Sequence, residues 1–518
     1  MPVLVHNMEW KIIKMAMTEE DRISQLPDHI LTSMLSSLSI RQAVGTSILS
    51  SRWRDLWIRS ISTIDFHPDN LLDAREYDEE LVNRVGKVQM LIISCKRLLN
   101  FILSGNQFLR QLPVDHKISK FRVNYPFRRN RYGLILDQWI HFAISRGVEE
   151  LDVDLLSEGY FDYAGEHGDH VEAYDFPCDG VVPYSTTSDA SNVVLPSLKR
   201  LRLNGCIFSQ NNLSNFFYFT SLEAIDLQHI DFQSGATVET LLPHCPNLKW
   251  LSFYECTHIF HIHIRRPLTT RLKYLSVKSC FDVNEIEIDG VELATFEYSG
   301  NLPTFSFKEV PLLLNVYFCI LFGTSVGDGT VLSLPKLPET LPQLEKLLLR
   351  CCCDIEVEEL PERLPTFRNL KHLAVIEIKV LPRNLMWIAQ VLKASPLLQN
   401  LELHLDSYDY QEEPKEIERP PRVPLNHLKE VVISGARGYL SEIELAIYVL
   451  NNAVILERMT IDPYWRYYLG DGKWQYEDPQ HEDLWTRARR DKWAKIGRQR
   501  VLDYLQQEVP PDVELIVL

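Results

Sequence analysis

The sequence predicts an α/β protein: three short helices near the N-terminus, then a curved solenoid on a parallel sheet, then a C-terminal cap. Three observations carry that expectation. The stretch Asp21 to Phe66 is amphipathic at helical spacing and is broken twice by capping signals. A six-residue apolar pattern then recurs twelve times between Val148 and Ile461. From Leu425 the last units of that pattern are interleaved with a helical stretch, Glu442 to Leu450.

In the N-terminal stretch, Leu26, Ile30, Leu31, Met34, Leu35 and Leu38 form one apolar stripe behind Pro27, whose fixed φ and missing N–H suit the first position of a helix. Ser39 and Gln42 have capping-box spacing ahead of a second helix with Ala43, Val44 and Ile48. Ser50 is placed to cap a third, with Trp53, Leu56 and Trp57 on one side and Arg52, Arg54 and Asp55 on the other. So few residues hardly bury their own apolar faces, so the trio is expected to lean on the rest of the chain or on a partner.

The order Leu26-Pro27-Asp28, Ile30-Leu31, Ala43-Val44 and Leu49-Ser50-Ser51-Arg52-Trp53-Arg54-Asp55-Leu56-Trp57 resembles the F-box in its plant form. The resemblance implies a docking module for the Skp-type adaptor of a cullin–RING ubiquitin ligase. Leu26, Pro27, Ile30, Leu31, Leu35, Leu38, Val44, Leu49, Trp53 and Leu56 would then be the adaptor-binding residues.

The expected organisation is a tail over 1–20, the F-box over 21–67, a helical linker over 68–146, repeats over 147–424 and a terminal region over 425–518. In the linker, Glu76 to Leu112 is helical in pattern and expected to break at Ser104-Gly105-Asn106. Ile118 to Tyr125 alternates as a strand, and Leu134 to Ser145 reads as an amphipathic helix.

The repeat runs from Val148-Leu151-Val153 and Leu198-Leu201-Leu203 to Leu428-Val431-Ile433 and Leu456-Met459-Ile461. From Leu198 through Leu222 and Leu248 to Leu272 the steps are 24, 26 and 24 residues, inside the roughly 20–29 residues of leucine-rich repeats. One unit cannot bury its leucines alone, but a stack shares a continuous core and leaves the variable strand positions as a concave wall. Two segments interrupt the stack: an acidic loop over 157–192 without lysine or arginine, and a charged, proline-rich stretch from Asp406 to Pro424. From Leu425, the residues Leu428-Lys429-Glu430-Val431, Gly435, Arg437-Gly438 and Leu456-Glu457-Arg458-Met459 resemble the FBD region of plant F-box proteins, expected here to cap the solenoid.

Composition narrows the function. The chain has 518 residues, 45% of them hydrophobic, and a formal charge of −16, which disfavours nucleic acid and anionic membranes as partners because both are bound by clustered cations. The ten cysteines show no paired secreted framework, and no apolar run reaches membrane-spanning length, so an intracellular protein of cytoplasm or nucleus is expected. Gly323-Thr324-Ser325-Val326-Gly327 has nucleophile-elbow spacing, but Pro335, Pro338 and Pro342 follow where that motif needs a helix. Cys206, Cys256, Cys280 and Cys352 each lie three residues past the last apolar residue of a unit, the slot that takes Asn or Cys in leucine-rich repeats, so a buried thiol ladder is expected. A zinc site of Cys256, His258, His261 and His263 lacks the paired spacing of structural zinc, although strand alternation puts His261 and His263 on one face. The basic run Arg487 to Arg500 reads as a solvated helix face with Ile496, Val501 and Leu505 inward. No catalytic residue, metal or cofactor is expected.

What remains is binding. The mid-array variable positions Arg200, Arg202, Asn204, Asp226, Gln228, Trp250, Tyr254, Tyr274 and Lys278 combine aromatics with cations, as binding hot spots do, and are the candidate substrate contacts. The expected function is a ubiquitin-ligase substrate receptor that acts by proximity, joined through the Skp-type adaptor to cullin and holding a protein substrate of unknown identity. The alternatives are a non-degradative interaction scaffold and a small-molecule-sensing receptor.

Overall fold

A computed structural model describes residues 23, 25–72, 87–125, 132–156, 174–176, 197–208, 220–233, 238–266, 271–320, 336–350, 364–378, 385–405, 422–476 and 492–518. The chain divides into two compact units, one of residues 1–174 and 181–204, the other of 175–180 and 205–518. The Gly323 to Gly327 motif, Cys351 to Cys353, most of the acidic loop and Asp406 to 421 lie outside the described residues.

The first unit opens with helices α1 (Asp28–Ser36), α2 (Ile40–Gly45) and α3 (Ser51–Ser60). Pro27 sits one residue before α1 as its N-cap, because its extended ψ of 148° ends the incoming chain. The Ser39–Gln42 capping box forms with both bonds, and Ser50 Oγ accepts from Trp53 N–H at 3.3 Å. Arg52 fastens α3 to the start of α1, donating to Asp28 Oδ1 at 2.9 Å and to the Leu26 carbonyl at 2.7 Å. The long helix α4 (Lys87–Gln111) passes unbroken through Ser104-Gly105-Asn106, against expectation. Burial explains it: a Cβ on Gly105 would meet Trp139 at 2.8 Å, and Asn106 accepts from the Trp139 indole at 2.8 Å, so both residues serve packing rather than a turn. Trp139 lies on α5 (Gly133–Ser145) and packs on Phe66, with ring centroids 4.9 Å apart. Phe66 also meets Phe101, Phe108 and Phe121, giving this unit an aromatic core.

Four parallel strands line the same unit: β1 (Thr63–Phe66), β2 (Lys120–Asn124), β3 (Glu150–Asp154) and β4 (Arg200–Asn204). The ladder therefore begins well before position 147, because Thr63–Phe66 at the end of the F-box stretch and Lys120–Asn124 in the linker carry the same inward alternation, Ile64 facing Phe121 and Phe121 facing Leu151.

The second unit continues the pattern with eleven parallel strands among its described residues: β5 (Ala224–Gln228), β6 (Trp250–Tyr254), β7 (Tyr274–Lys278), β8 (Thr295–Gly300), β9 (Asn315–Ile320), β10 (Lys346–Arg350), β11 (His372–Ile378), β12 (Asn400–Leu405), β13 (Glu430–Ser434), β14 (Arg458–Asp462) and β15 (Glu514–Val517). Registers hold the apolar positions side by side: Ile225 faces Leu251, Leu251 faces Leu275, and Leu275 faces Phe296. The three apolar positions of each of the twelve repeat patterns are buried, and each large apolar side chain so covered contributes roughly 1.5–3 kcal/mol relative to exposure. After β5, β6 and β7 the chain turns through His229, Glu255 and Ser279, all at positive φ. Cys256 and Cys280, behind the last two, are buried free thiols, as is Cys206.

Outside the main ladder, His261–Arg265, Glu285–Asp289 and Thr304–Lys308 form a separate three-stranded parallel sheet. At the end of the chain, α6 (Leu440–Asn452) is buried on nearly all faces. In α7 (Arg498–Leu505) Val501 and Leu505 point inward as expected, whereas Ile496, in the π-helical turn before it, is exposed. Between β14 and β15 a two-stranded antiparallel hairpin, Arg466–Gly470 with Lys473–Tyr476, leaves the ladder.

Candidate protein-binding surfaces

The trio of N-terminal helices sorts its apolar residues into two sets. Leu31, Leu35, Trp53 and Leu56 are buried within the first unit, which corrects their assignment as adaptor contacts: they hold the helices together, and Trp57 continues that packing onto Phe108 of α4 at 6.0 Å. Leu26 and Val44 are half-buried. Ile30, Leu38 and Leu49 are exposed, as is Pro27, and so are Met34 and Ile48, the latter 89% exposed in the turn between α2 and α3. Ile30 and Met34, four apart on α1, share a face. The exposed set keeps Pro27, Ile30, Leu38 and Leu49 of the expected residues and adds Met34 and Ile48: the sequence puts Ile48 on a helix stripe, but its short 3-10 turn turns it to solvent.

Along the variable face of the first unit runs a ladder of alternating charge. Glu150 on β3 accepts from Arg200 Nε at 2.8 Å and lies 3.4 Å from Lys120. Asp152 stands between Arg122 at 3.3 Å and Arg202 at 3.6 Å, and Asp154 accepts from Asn204 at 2.8 Å. Burial pushes the Asp152 carboxyl up despite both arginines. Arg200, Arg202 and Asn204, read from the sequence as substrate contacts, are thus engaged with the acidic strand beside them, because basic β2 and β4 flank acidic β3 in register.

In the second unit the hairpin lies over the variable face. Tyr468 donates to Glu297 Oε1 at 2.7 Å, and the Asp471 backbone N–H donates to the same atom at 2.8 Å. Lys278 Nζ lies 2.5 Å from Glu297 Oε2, and 5.3 and 5.7 Å from the ring centroids of Tyr317 and Tyr468. Burial raises the Glu297 carboxyl, but Lys278 and the tyrosine donors outweigh it and the group ends below the ordinary carboxylate range. Gly470, at φ +98°, makes this approach possible, since a Cβ there would meet Lys278 Nζ at 2.7 Å. Further along, Tyr468 and Trp474 pack on Tyr317, Cys319, Leu348, Ala374 and Ile376, and Trp474 lies 4.4 Å from the His404 ring. His404 hydrogen-bonds Ser434 at 2.6 Å and pairs with Glu402, whose other oxygen meets His372 at 3.0 Å.

Tyr274 and Lys278, two candidate substrate contacts, are therefore covered or engaged by this chain's own hairpin: Tyr274 is 6% exposed. Sequence reasoning missed the cover because a contact spanning 171 residues leaves no local signature. Asp226, Gln228 and Trp250 are half-buried. Gln228 donates to Asp226 at 3.0 Å, Trp250 stacks flat on Tyr274 with centroids 3.5 Å apart, and Tyr254 is 39% exposed.

The histidine run divides as well. Cys256 faces the core, its thiol donating to the Leu227 carbonyl at 3.4 Å, and His258 bonds Asp231 at 2.6 Å, so these two are engaged apart from His261 and His263, in keeping with the spacing that disfavours a four-residue zinc set. His261 and His263 do share a face, beside Glu285.

In-register parallel strands with a buried leucine ladder define a leucine-rich-repeat protein, here preceded by a capped helical trio in the F-box pattern. The family model described as At1g61320/AtMIF1, LRR domain, matches residues 113–518. The chain belongs to that leucine-rich-repeat family, and the plant proteins it is similar to carry F-box and FBD in their names. Among similar Arabidopsis thaliana proteins, F-box/FBD/LRR-repeat protein At5g53840 is 25% identical over 454 residues, 86% of this chain and 88% of its own length. FBD-associated F-box protein At5g27750 is 23% identical over 503 residues, covering 92% and 98%. F-box/LRR-repeat protein 13 is 25% identical over 463 residues, covering 86% and 90%.

Proposed function

We propose that this chain is the substrate-recognition subunit of an SCF-type (Skp–cullin–F-box) ubiquitin ligase. The observation that carries the reading is the set of exposed apolar side chains Ile30, Met34, Leu38, Ile48 and Leu49 on helices in the F-box pattern. A folded unit that needed no partner would have little use for them there. The Skp-type adaptor is the proposed occupant, and the names of the similar proteins support it. The receptor supplies no acid, base or nucleophile: it raises the local concentration of a bound protein's lysines near the ubiquitin-charged enzyme that cullin recruits. The stretch Asp226, Gln228, Trp250 and Tyr254, half-buried to exposed on the variable strand positions, is the proposed substrate contact, and the setting is the cytoplasm or nucleus.

Capture of a purified Skp-type adaptor by the full-length chain tests this. Ile48→Asp with Leu49→Asp should cut capture at least tenfold while the thermal transition stays in place. Capture at wild-type strength by that double variant overturns the adaptor assignment. Should adaptor and cullin co-purify while proteasome inhibition leaves every co-purifying protein unchanged in amount, the non-degradative scaffold takes its place.

A further inference from the structure

We propose that His261, His263 and Glu285 form a binding site for one divalent transition-metal ion of the zinc class on the outer three-stranded sheet. The topology brings the ligands together: His261 and Glu285 are direct partners in the parallel register, and His263, two residues along, returns to the same face. One ligand atom from each of the three falls within 4.8 Å of the other two.

The separations fit a shared ion better than hydrogen bonds. Glu285 Oε2 lies 3.5 Å from His263 Nε2 and 3.7 Å from His261 Nδ1, beyond the 2.7–3.2 Å of a good hydrogen bond. Two ligands bound at about 2.0–2.1 Å around a tetrahedral ion stand about 3.3 Å apart, so Glu285 is within a few tenths of an ångström of that spacing from each histidine, and the two imidazoles close on the ion by side-chain rotation.

His263 carries the second, independent observation. Glu239 Oε1 lies 3.1 Å from His263 Nδ1 and also accepts the His263 backbone N–H at 3.1 Å. A carboxylate holding Nδ1–H fixes the tautomer that leaves the Nε2 lone pair free, the backing found behind metal-ligating histidines. Nε2 is buried and makes no hydrogen bond. The neighbouring pair of positions gives the contrast: on the same face, Glu287 is satisfied by Arg265 and by Lys308 at 2.9 Å, permanent cations in the place the histidines take beside Glu285. Two imidazoles and one carboxylate suit zinc and its neighbours in the first transition row, with a fourth position open to water or to a side chain of a bound protein.

The test uses full-length protein freed of metal with a chelator. Zinc titrated calorimetrically should bind at one equivalent that His261→Gln and His263→Gln each weaken at least tenfold and their combination abolishes. His258→Gln should leave that equivalent intact. Cobalt(II) at the same site should show visible bands of nitrogen and oxygen ligation without thiolate charge transfer, which separates it from the cysteines. Glu239→Gln, a positioning variant, should weaken zinc by about 10–100-fold with unchanged stoichiometry. His261 is exposed, so its variant keeps the core. Zinc stoichiometry and affinity unchanged in the double histidine variant, or no saturable zinc binding in the parent, overturns the proposal.

Discussion

Tyr468 donates its hydroxyl proton to Glu297 at 2.7 Å, tying the C-terminal hairpin to β8 across 171 residues of sequence. Glu297 is wholly buried, and a buried carboxylate that loses a donor bears the cost of its missing solvation. Tyr468→Phe is expected to destabilise the protein by about 1–3 kcal/mol in urea. The group's proton affinity is depressed in the fold, so its stabilisation is present above the ordinary carboxylate pKa and is lost as pH falls through the folded value. Without Tyr468 that contribution shrinks, and the variant's acid unfolding should begin at higher pH than the parent's. Identical urea and acid profiles would show that the hairpin is not held through this bond.

The buried and exposed apolar residues of the F-box should respond in opposite ways. Trp53 is 5% exposed and Ile48 is 89% exposed. Trp53→Ala should cost about 3–5 kcal/mol by opening a cavity, whereas Ile48→Asp should shift thermal stability by no more than about 0.5 kcal/mol. Calorimetric melting of the two variants decides it.

Glu442 gives the chain a pH dependence of the opposite sign to Glu297. Full burial pushes its carboxyl up to about 7, although Oε2 accepts the backbone N–H groups of Arg437, Gly438 and Tyr439 at 3.0, 2.8 and 3.2 Å. A raised carboxyl contributes stability that is complete below about pH 4.5 and lost as pH rises through about 7. The span is worth on the order of 3 kcal/mol. Urea midpoints of the parent should fall from pH 5 to 8, and Glu442→Gln, which keeps the shape of the neutral acid, should be flatter across that window.

The thiol ladder should be inert. Cys256 is buried and its proton is held well above the ordinary range, chiefly by burial, while Cys95 is exposed. Brief alkylation of the native protein followed by peptide mapping should modify Cys95 and spare Cys206, Cys256 and Cys280. Label on Cys256 at the rate of Cys95 would contradict this packing.

Much of this was legible in the sequence, and the boundary has a physical cause. Caps and ladders are local: Ser39 with Gln42, Ser50 with Trp53, and Leu251 with Phe253 carry their signals within a few residues, and each formed as read. Burial against distant segments is not local. Gly105 and Asn106 look like a helix break until Trp139 is set against them. Leu31 and Trp53 look like docking residues until α1 and α3 close on one another, and Tyr274 looks free until residues nearly two hundred positions later cover it. The histidine site follows the same division: alternation places His261 and His263 on one face, but Glu285 joins them only through strand register and Glu239 only through packing at the edge of that sheet.

The cover over β7 to β12 also bears on how such a chain can diverge. A change at Tyr317, Ala374 or Glu297 must be matched by one at Tyr468, Asp471 or Trp474, so these positions are expected to drift in concert across descendants. Tyr254, 39% exposed and outside that hairpin cluster, can change without a matching change in the hairpin, which is where new specificities would arise at least cost to the scaffold.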